Sequence, residues 1–285
     1  MLISYTRPNP IAWSLIGAGA AFVTDDAGGA LTNGRPAEAT RLQWLTGAQT
    51  TGSIFTLRGT WGTAVVPRVV GLVGLTLPAG TLITLAFRRP ADAGYTYLAD
   101  VPSQRVTQLP DGSRCAWFVL DAGLDPVIGV EYRIANDVDG AASIAADSTF
   151  DIGEAWVGPA VDIPHESGWG RGLTDPTTLR RSKGSQLFGR EQRAWRTLQV
   201  RFTVTTVDEV AGGALANGED WELVEAQLRA GASCVAIPRW SGITADYLQR
   251  NALFAAATQQ GAVQNSAGAL YGRDYTFEEI PASEA

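Results

Sequence analysis

Imidazole chemistry is nearly absent from this sequence. The one histidine, His165, lies in the segment Ile-Pro-His-Glu-Ser-Gly. Most nucleophilic triads and many metal centres need an imidazole, and no Gly-x-Ser-x-Gly elbow or phosphate-binding loop accompanies this one. We therefore expect none of the enzyme classes that depend on histidine. His165 is predicted to be a solvated residue, and the alternative is a contact or pH-sensitive residue of an assembly.

Paired carboxylates are the remaining enzymatic chemistry, because two acids about 5–10 Å apart hydrolyse a glycosidic bond without histidine. Three pairs qualify by composition: Asp25 with Asp26, Asp137 with Asp139, and Glu278 with Glu279. Each lies in a turn-like segment or on a strand face, where solvated acids are common. The segment 137–140 also resembles part of a calcium loop, but it lacks the terminal glutamate. We predict no catalytic, cofactor-binding or metal-binding residue, no cofactor, and a protein that is not an enzyme.

Tryptophan is abundant, with nine residues among 285. Seven lie within or beside apolar periodic segments, which favours core packing. Trp169 and Trp240 instead have polar, Gly-containing or Arg-containing neighbours, including Arg171 and Arg239. An exposed indole beside an arginine suits stacking on a sugar or anchoring a protein neighbour. Trp169 and Trp240 are therefore the candidate glycan or partner contacts.

Positive charge is concentrated in residues 165–201, which contain eight basic and three acidic residues, although the whole chain has a net charge of −7. The overall acidity argues against nucleic-acid binding. Because the stretch 169–190 is rich in Gly, Arg, Ser and Thr, we predict an exposed arm or long loop. The candidate inter-subunit contacts are Arg171, Arg180, Arg181, Lys183, Arg190 and Arg193. The excess of arginine over lysine suits interfaces, but a GC-rich genome produces the same bias.

Short alternating or apolar segments, separated by turns, dominate the first half of the chain and predict an all-β sandwich or jelly roll. The predicted strands are residues 11–23, 53–58, 65–77, 81–87, 95–100, 113–120, 127–135 and 150–157. The run 11–23 is too short to span a bilayer and makes a poor signal peptide, so no membrane insertion is expected. Cys115 and Cys234 form no metal-binding spacing; buried free thiols are favoured, and a disulfide stays open.

The second half predicts further strands and one helix. Leu198, Val200 and Phe202 alternate with polar residues in the predicted strand 197–205, and later strands are predicted at 233–238, 252–257 and 271–280. The helix is predicted over residues 219–230, with Asn217 as N-cap and Gly231 as a left-handed terminal residue. Trp221, Val224 and Leu228 form one apolar stripe, so the helix should lie across a sheet.

Residues 31–44 and the segment Phe150-Asp-Ile-Gly-Glu-Ala-Trp-Val-Gly-Pro159 resemble the galactose-binding-like jelly rolls in tail proteins of long-tailed bacteriophages. This likeness covers roughly residues 1–160. Residues 161–285, with the arm 171–201 and the helix 219–230, are similar in architecture to the ring-forming β-sandwich of distal or minor tail proteins. The resemblance implies a mainly β protein with a jelly-roll β-sandwich domain and a second β-sandwich domain that carries one α-helix.

The same resemblance implies a structural protein of the phage tail tip, made in the host cytoplasm and located in the virion. It implies a homo-oligomeric ring that connects the tail tube to the tip hub, so the expected partners are further copies, the tube protein, the hub and other tail-tip proteins. An alternative is a carbohydrate-binding module that recognises host surface glycans. A polysaccharide hydrolase is the third and least favoured hypothesis.

Overall fold

A computed structural model describes residues 1–16, 20–23, 28–45, 54–98, 101–139, 144, 148–163, 165, 168–183, 185–190, 192–215, 220–229, 231–261, 264–267 and 270–282. Its strands form several antiparallel sheets, accompanied by three α-helices. The prediction of a mainly β protein is therefore confirmed. The finer assignment of a galactose-binding-like jelly roll stays a prediction.

Fourteen strands precede residue 160, and a short 3-10 helix spans Gly29–Thr32. These strands are β1 (Leu2–Ser4), β2 (Ala12–Ile16), β3 (Ala20–Phe22), β4 (Thr40–Trp44), β5 (Ile54–Val65), β6 (Val69–Val73), β7 (Thr81–Arg88), β8 (Thr96–Tyr97), β9 (Gln104–Arg105), β10 (Thr107–Gln108), β11 (Arg114–Val119), β12 (Val127–Val138), β13 (Thr149–Ile152) and β14 (Glu154–Gly158).

Nine strands and the three α-helices follow. The strands are β15 (Val161–Asp162), β16 (Gly170–Thr174), β17 (Thr178–Arg181), β18 (Leu187–Arg190), β19 (Trp195–Thr205), β20 (Ser233–Ile237), β21 (Leu253–Gln260), β22 (Gln264–Ala267) and β23 (Leu270–Glu279). The helices are α1 (Val207–Ala211), α2 (Trp221–Gln227) and α3 (Ala245–Asn251). No helix among the described residues is long and apolar enough to cross a membrane.

The chain divides into two compact units that are not contiguous in sequence. The first unit consists mainly of Leu2–Val161 and Ile237–Ala252, and the second mainly of Asp162–Ala236 and Leu253–Ile280. The chain therefore returns to the first unit through the segment that carries α3. This return leaves no signature in hydrophobic periodicity, because periodicity indicates which face of an element is buried and not which unit buries it.

Two sheets of the first unit share one hydrophobic core. The order β10-β11-β6-β14 forms one sheet, and β2-β5-β12-β7-β8 forms the other, with β9 also paired to β7. Leu72 and Phe118 from the first sheet join Leu57 and Ile134 from the second in the same buried cluster. A hydroxyl also links the sheets, since the buried Tyr132 donates to the backbone oxygen of Trp156 at 2.7 Å. The sheets thus pack as layers about one core.

Strand β6 occupies the middle of the segment 65–77 that the sequence predicted to be a strand. All five of its residues are buried, and it lies between β11 and β14. Gly71 is required at its centre because the Trp117 ring lies directly against it. A Cβ atom at position 71 would lie 2.1 Å from Cε3 of Trp117. Any side chain here must displace an indole ring that is itself buried.

In the second unit, a sheet of order β20-β21-β23-β19-β16 carries α2 on one face, and β22 pairs with β23. The predicted stripe is confirmed: Trp221, Val224 and Leu228 are buried, and the Trp221 ring lies 5.2 Å from that of Phe202 and 5.3 Å from that of Tyr275. Gly231 has a φ of +87°, as its predicted position requires. The predicted N-cap, Asn217, lies outside the described residues, and Asp220 caps the helix by accepting from the Leu223 nitrogen at 2.9 Å.

The prediction of a single helix is wrong, because the described chain contains three. Helix α1 is only five residues long and has no buried residue, so it leaves no apolar periodicity. Its signal is local: Thr206 and Glu209 form a reciprocal capping box. Helix α3 begins at the N-cap Thr244, which accepts from the Tyr247 nitrogen at 3.3 Å. Both helices would have been found from capping residues and not from hydrophobic spacing.

Two strand predictions also need correction. The strand expected over residues 95–100 is only the exposed pair Thr96–Tyr97 within the described residues. The strand expected over residues 150–157 is two strands, β13 and β14, in different sheets. The chain changes sheet at Gly153, where a Cβ atom would lie 2.3 Å from the backbone oxygen of Pro36. A glycine that permits this close approach explains the break.

Candidate functional site

The stretch 169–190 was predicted to be an exposed arm or a long loop. Its described residues are largely exposed, and most of them form strands β16, β17 and β18 and not an irregular loop. Strands β17 and β18 pair as an antiparallel hairpin, with Arg180 opposite Phe188 and Leu179 opposite Gly189. The connecting turn is closed by a hydrogen bond from the Ser182 nitrogen to the Gln186 oxygen at 2.9 Å. Backbone pairing of this kind needs no apolar alternation, so the composition of residues 169–190 predicted their exposure but gave no sign of the two strands.

Both faces of this hairpin expose large apolar side chains. Leu179 is 62% exposed and Phe188 is 57% exposed. Because residues directly opposite in a ladder share a face, Phe188 lies beside Arg180 on one face. Leu179 lies on the other face with Arg181, two residues further along its strand. Among the described side chains, each face therefore combines an apolar residue with a cationic one.

The predicted inter-subunit contacts fall into three groups. Arg180, Arg181 and Lys183 belong to the hairpin, are exposed, and form no ion pair with any described residue. Arg171 is exposed on β16 and Arg193 is partly buried before β19, and both have interactions of their own. The side chain of Arg190 lies outside the described residues. Arg180, Arg181 and Lys183 thus belong to one hairpin, on both of its faces. Arg171 and Arg193 lie on or beside the larger sheet.

Trp169 lines an open groove on the face of the second unit's sheet opposite to α2. The groove has a volume of about 430 Å³, and its other lining residues are Gly168, Gly170, Gln199, Val200, Arg201, Gln259, Asp274, Tyr275 and Thr276. Trp169 itself is partly buried. The sequence suggested an exposed indole at this position; the structure places Trp169 in the lining of a groove with part of its surface covered.

The floor of the Trp169 groove is built from two adjacent rows of polar side chains. Thr276 on β23 pairs with Gln199 on β19 and with Gln259 on β21, so the three side chains share one row and one face. The next row contains Arg201 opposite Asp274, with 3.8 Å between Nε and a carboxylate oxygen. None of these floor residues was predicted to be functional from the sequence. The one sequence signal for the floor is the alternation of polar residues on the outer side of each strand.

Trp240 lies in a different kind of groove, within the first unit. This groove has a volume of about 310 Å³ and is lined largely by apolar residues, including Phe118, Leu120 and Leu248. The guanidinium of Arg68 lies 4.8 Å from the Trp240 ring centroid. One face of the indole is thus occupied by a cation–π contact, which favours a packing role for Trp240 over ligand stacking.

Among the described candidate acids, Glu278, Glu279 and Asp137 are engaged in structural contacts, whereas Asp139 is exposed. Glu279 accepts from the guanidinium of Arg196, and Glu278 accepts from the Thr258 hydroxyl at 3.0 Å. Asp137 forms an ion pair with Arg105 at 3.3 Å. Asp25 and Asp26 lie outside the described residues. No described cluster of three His, Cys, Asp or Glu side chains could hold a metal ion.

Neither groove contains a carboxylate pair among its described lining residues, since Asp274 is the one acid in the Trp169 groove and Asp121 the one acid in the Trp240 groove. His165 lies in neither groove. It is partly buried, and that burial lowers the pKa of its imidazole. Cys115 and Cys234 are buried free thiols, in keeping with the favoured interpretation of the sequence.

The fold and these surfaces define a class: a mainly β protein with a basic hairpin that exposes Leu179 and Phe188, and with a polar groove on a sheet face. No protein-family model matches the chain, and no curated protein matches it. Function must therefore be argued from the surfaces themselves.

Proposed function

We propose that this chain is a non-enzymatic structural protein of a bacteriophage tail tip, and that it assembles through the β17–β18 hairpin. The observation that carries the proposal is the pairing of exposed apolar and cationic residues on both hairpin faces. Leu179 and Phe188 are both more than half exposed, beside Arg180 and Arg181. An isolated two-stranded hairpin is marginally stable in water, so a partner that covers Leu179 and Phe188 would stabilise it.

Charge supports a second copy of the chain as the partner. The whole chain has a net charge of −7, whereas all charged side chains between residues 178 and 190 of the hairpin are positive. A cationic hairpin on one copy can therefore meet an acidic surface of the next copy. Contacts between two different surfaces of identical subunits close into rings when the rotation between subunits permits. A homo-oligomeric ring is accordingly the assembly that we propose.

The phage-tail context of this ring is supported by the resemblance of residues 31–44 and 150–159 to tail-protein jelly rolls. We propose that the ring connects the tail tube to the tip hub in the virion. Its partners would then be the tube protein, the hub and other tail-tip proteins.

The proposal is tested by mass photometry and negative-stain electron microscopy of the purified protein. Wild-type protein should form a discrete ring, and the double variant Arg180→Glu/Arg181→Glu should associate at least tenfold more weakly while remaining folded by circular dichroism. The matched control is Arg229→Glu/Arg239→Glu, which makes the same charge change at two exposed arginines outside the hairpin. A wild-type monomer at high concentration, or an unchanged ring in the hairpin variant, would refute the proposal.

A further inference from the structure

We infer that the Trp169 groove is a binding site for a neutral saccharide, and that it operates independently of assembly through the hairpin. The site lies on the outer face of β19, β21 and β23, which belong to one sheet. Its floor consists of side chains held in register by backbone pairing on both sides of β23. The backbone of the floor is thus fixed without a ligand, so binding has to order only side-chain rotamers.

Hydrogen-bonding capacity at the floor matches sugar hydroxyls. Gln199 and Gln259 carry amides that both donate and accept, and Thr276 carries a hydroxyl that does the same. None of these three side chains is hydrogen-bonded to a described residue. A row of hydroxyl groups on a pyranose ring presents alternating donors and acceptors of the same kind. The row therefore offers up to five hydrogen-bonding groups that no described side chain or backbone group occupies.

The charge balance of the groove favours a neutral ligand. Arg201 and Asp274 both line it and lie opposite each other, so an anion that approaches the guanidinium also meets a carboxylate. Their separation of 3.8 Å is long for a hydrogen-bonded ion pair, and both side chains are more than half exposed. Both side chains are accessible to a ligand hydroxyl, to which a guanidinium donates and from which a carboxylate accepts.

Trp169 supplies the apolar wall that a sugar needs. Sugars present C–H groups on the faces of the ring and hydroxyls at its edges, so a site that combines one indole with several polar groups suits both. Gly168 places this residue, because its φ of +114° is strained for any other amino acid. Gly170, opposite Gln199, adds no side chain of its own to the groove. The two glycines thus flank Trp169 at the groove without adding side chains of their own.

The test uses an array of neutral oligosaccharides built from hexoses and N-acetylhexosamines, with sialylated and phosphorylated glycans alongside. The strongest neutral probe is then titrated into the full-length protein by isothermal calorimetry. We expect Trp169→Ala to weaken binding at least tenfold and Gln199→Ala about threefold to tenfold. Trp240→Ala is the matched control, because it removes an equally large side chain from a different groove, and its affinity should equal that of wild type.

Three results would overturn the inference: no array probe binds, acidic glycans bind better than neutral ones, or Trp169→Ala and Gln199→Ala both leave the affinity unchanged. Gln199 is an exposed polar residue, so its variant tests the site even if Trp169→Ala fails to fold. The variant Arg180→Glu/Arg181→Glu should bind the same probe as well as wild type does. That comparison separates failure of the groove from failure of the hairpin.

Discussion

Strands β6 and β17 are similar in length but lie in opposite environments. Every residue of β6 is buried, and it has a paired neighbour on each side. Every residue of β17 is exposed, and β18 is its one paired neighbour among the described strands. The first strand is held by burial within its own chain. The second leaves Leu179 exposed, as its partner strand β18 leaves Phe188, which is the pattern expected of an interaction element.

The largest effect should come from filling the space at the centre of β6. Gly71→Ala places a methyl group where the Trp117 ring lies, so we expect the free energy of unfolding to fall by about 3 kcal/mol. Urea denaturation measures this loss. Gly62→Ala is the matched control, because a Cβ atom at position 62 has nothing within 4 Å. Equal losses in the two variants would show that β6 is not packed as tightly as described.

A pH-dependent effect of intermediate size should arise from the buried thiol on β20. Burial raises the pKa of Cys234 from 9.0 to about 12. Between these values the thiol ionises in the unfolded chain but stays neutral in the folded one, so its contribution to stability is complete below pH 9 and declines as the pH rises. Removing it by Cys234→Ala should make the decline in unfolding free energy shallower by up to about 1.4 kcal/mol per pH unit.

The measurement is urea denaturation of wild type and Cys234→Ala at several pH values from 8 to 11. Comparing slopes and not absolute values removes the constant cost of the cavity that alanine leaves. Parallel pH dependences in the two proteins would mean that Cys234 ionises in the folded state as readily as in the unfolded state. That result would contradict the burial of the Cys234 side chain, which distinguishes β20 from the exposed hairpin.

The smallest effect on folding should come from the hairpin. Leu179→Ser/Phe188→Ser removes two exposed apolar side chains, so the free energy of unfolding of the monomer should change by less than about 0.5 kcal/mol. Self-association, measured by mass photometry, should nevertheless weaken at least tenfold. A large loss of monomer stability with assembly intact would reverse the contrast between β6 and β17.

Local sequence patterns correctly predicted those strands, and the helix, that bury one face and expose the other. Leu198 and Phe202 are buried while Arg201 between them is exposed, as alternation required. The stripe on α2 was predicted correctly for the same reason, since a 3.6-residue period identifies the face that packs. The prediction of one continuous strand over residues 150–157 failed because the deciding contact is distant in sequence. Gly153 ends β13 because of Pro36, more than a hundred residues away.

The candidate sites divide in the same way. Residue types singled out Trp169, Trp240 and the arginines, because those side chains suit binding wherever they lie. Their surroundings were not predictable: Arg68 lies over Trp240, and the arm folds into a hairpin. The polar floor was missed entirely. Gln199 and Gln259 are separated by 60 positions, and only their shared pairing with Thr276 makes them neighbours.

The sequence by itself determined the mainly β fold, the buried faces of β19 and α2, and the scarcity of histidine. These properties follow from composition and short-range periodicity, which each segment carries within itself. The tertiary structure decided which strands pair, where the Arg-rich arm folds back, and which polar side chains gather around Trp169. Those outcomes depend on strand register and on contacts between distant segments, whose energies no single segment contains.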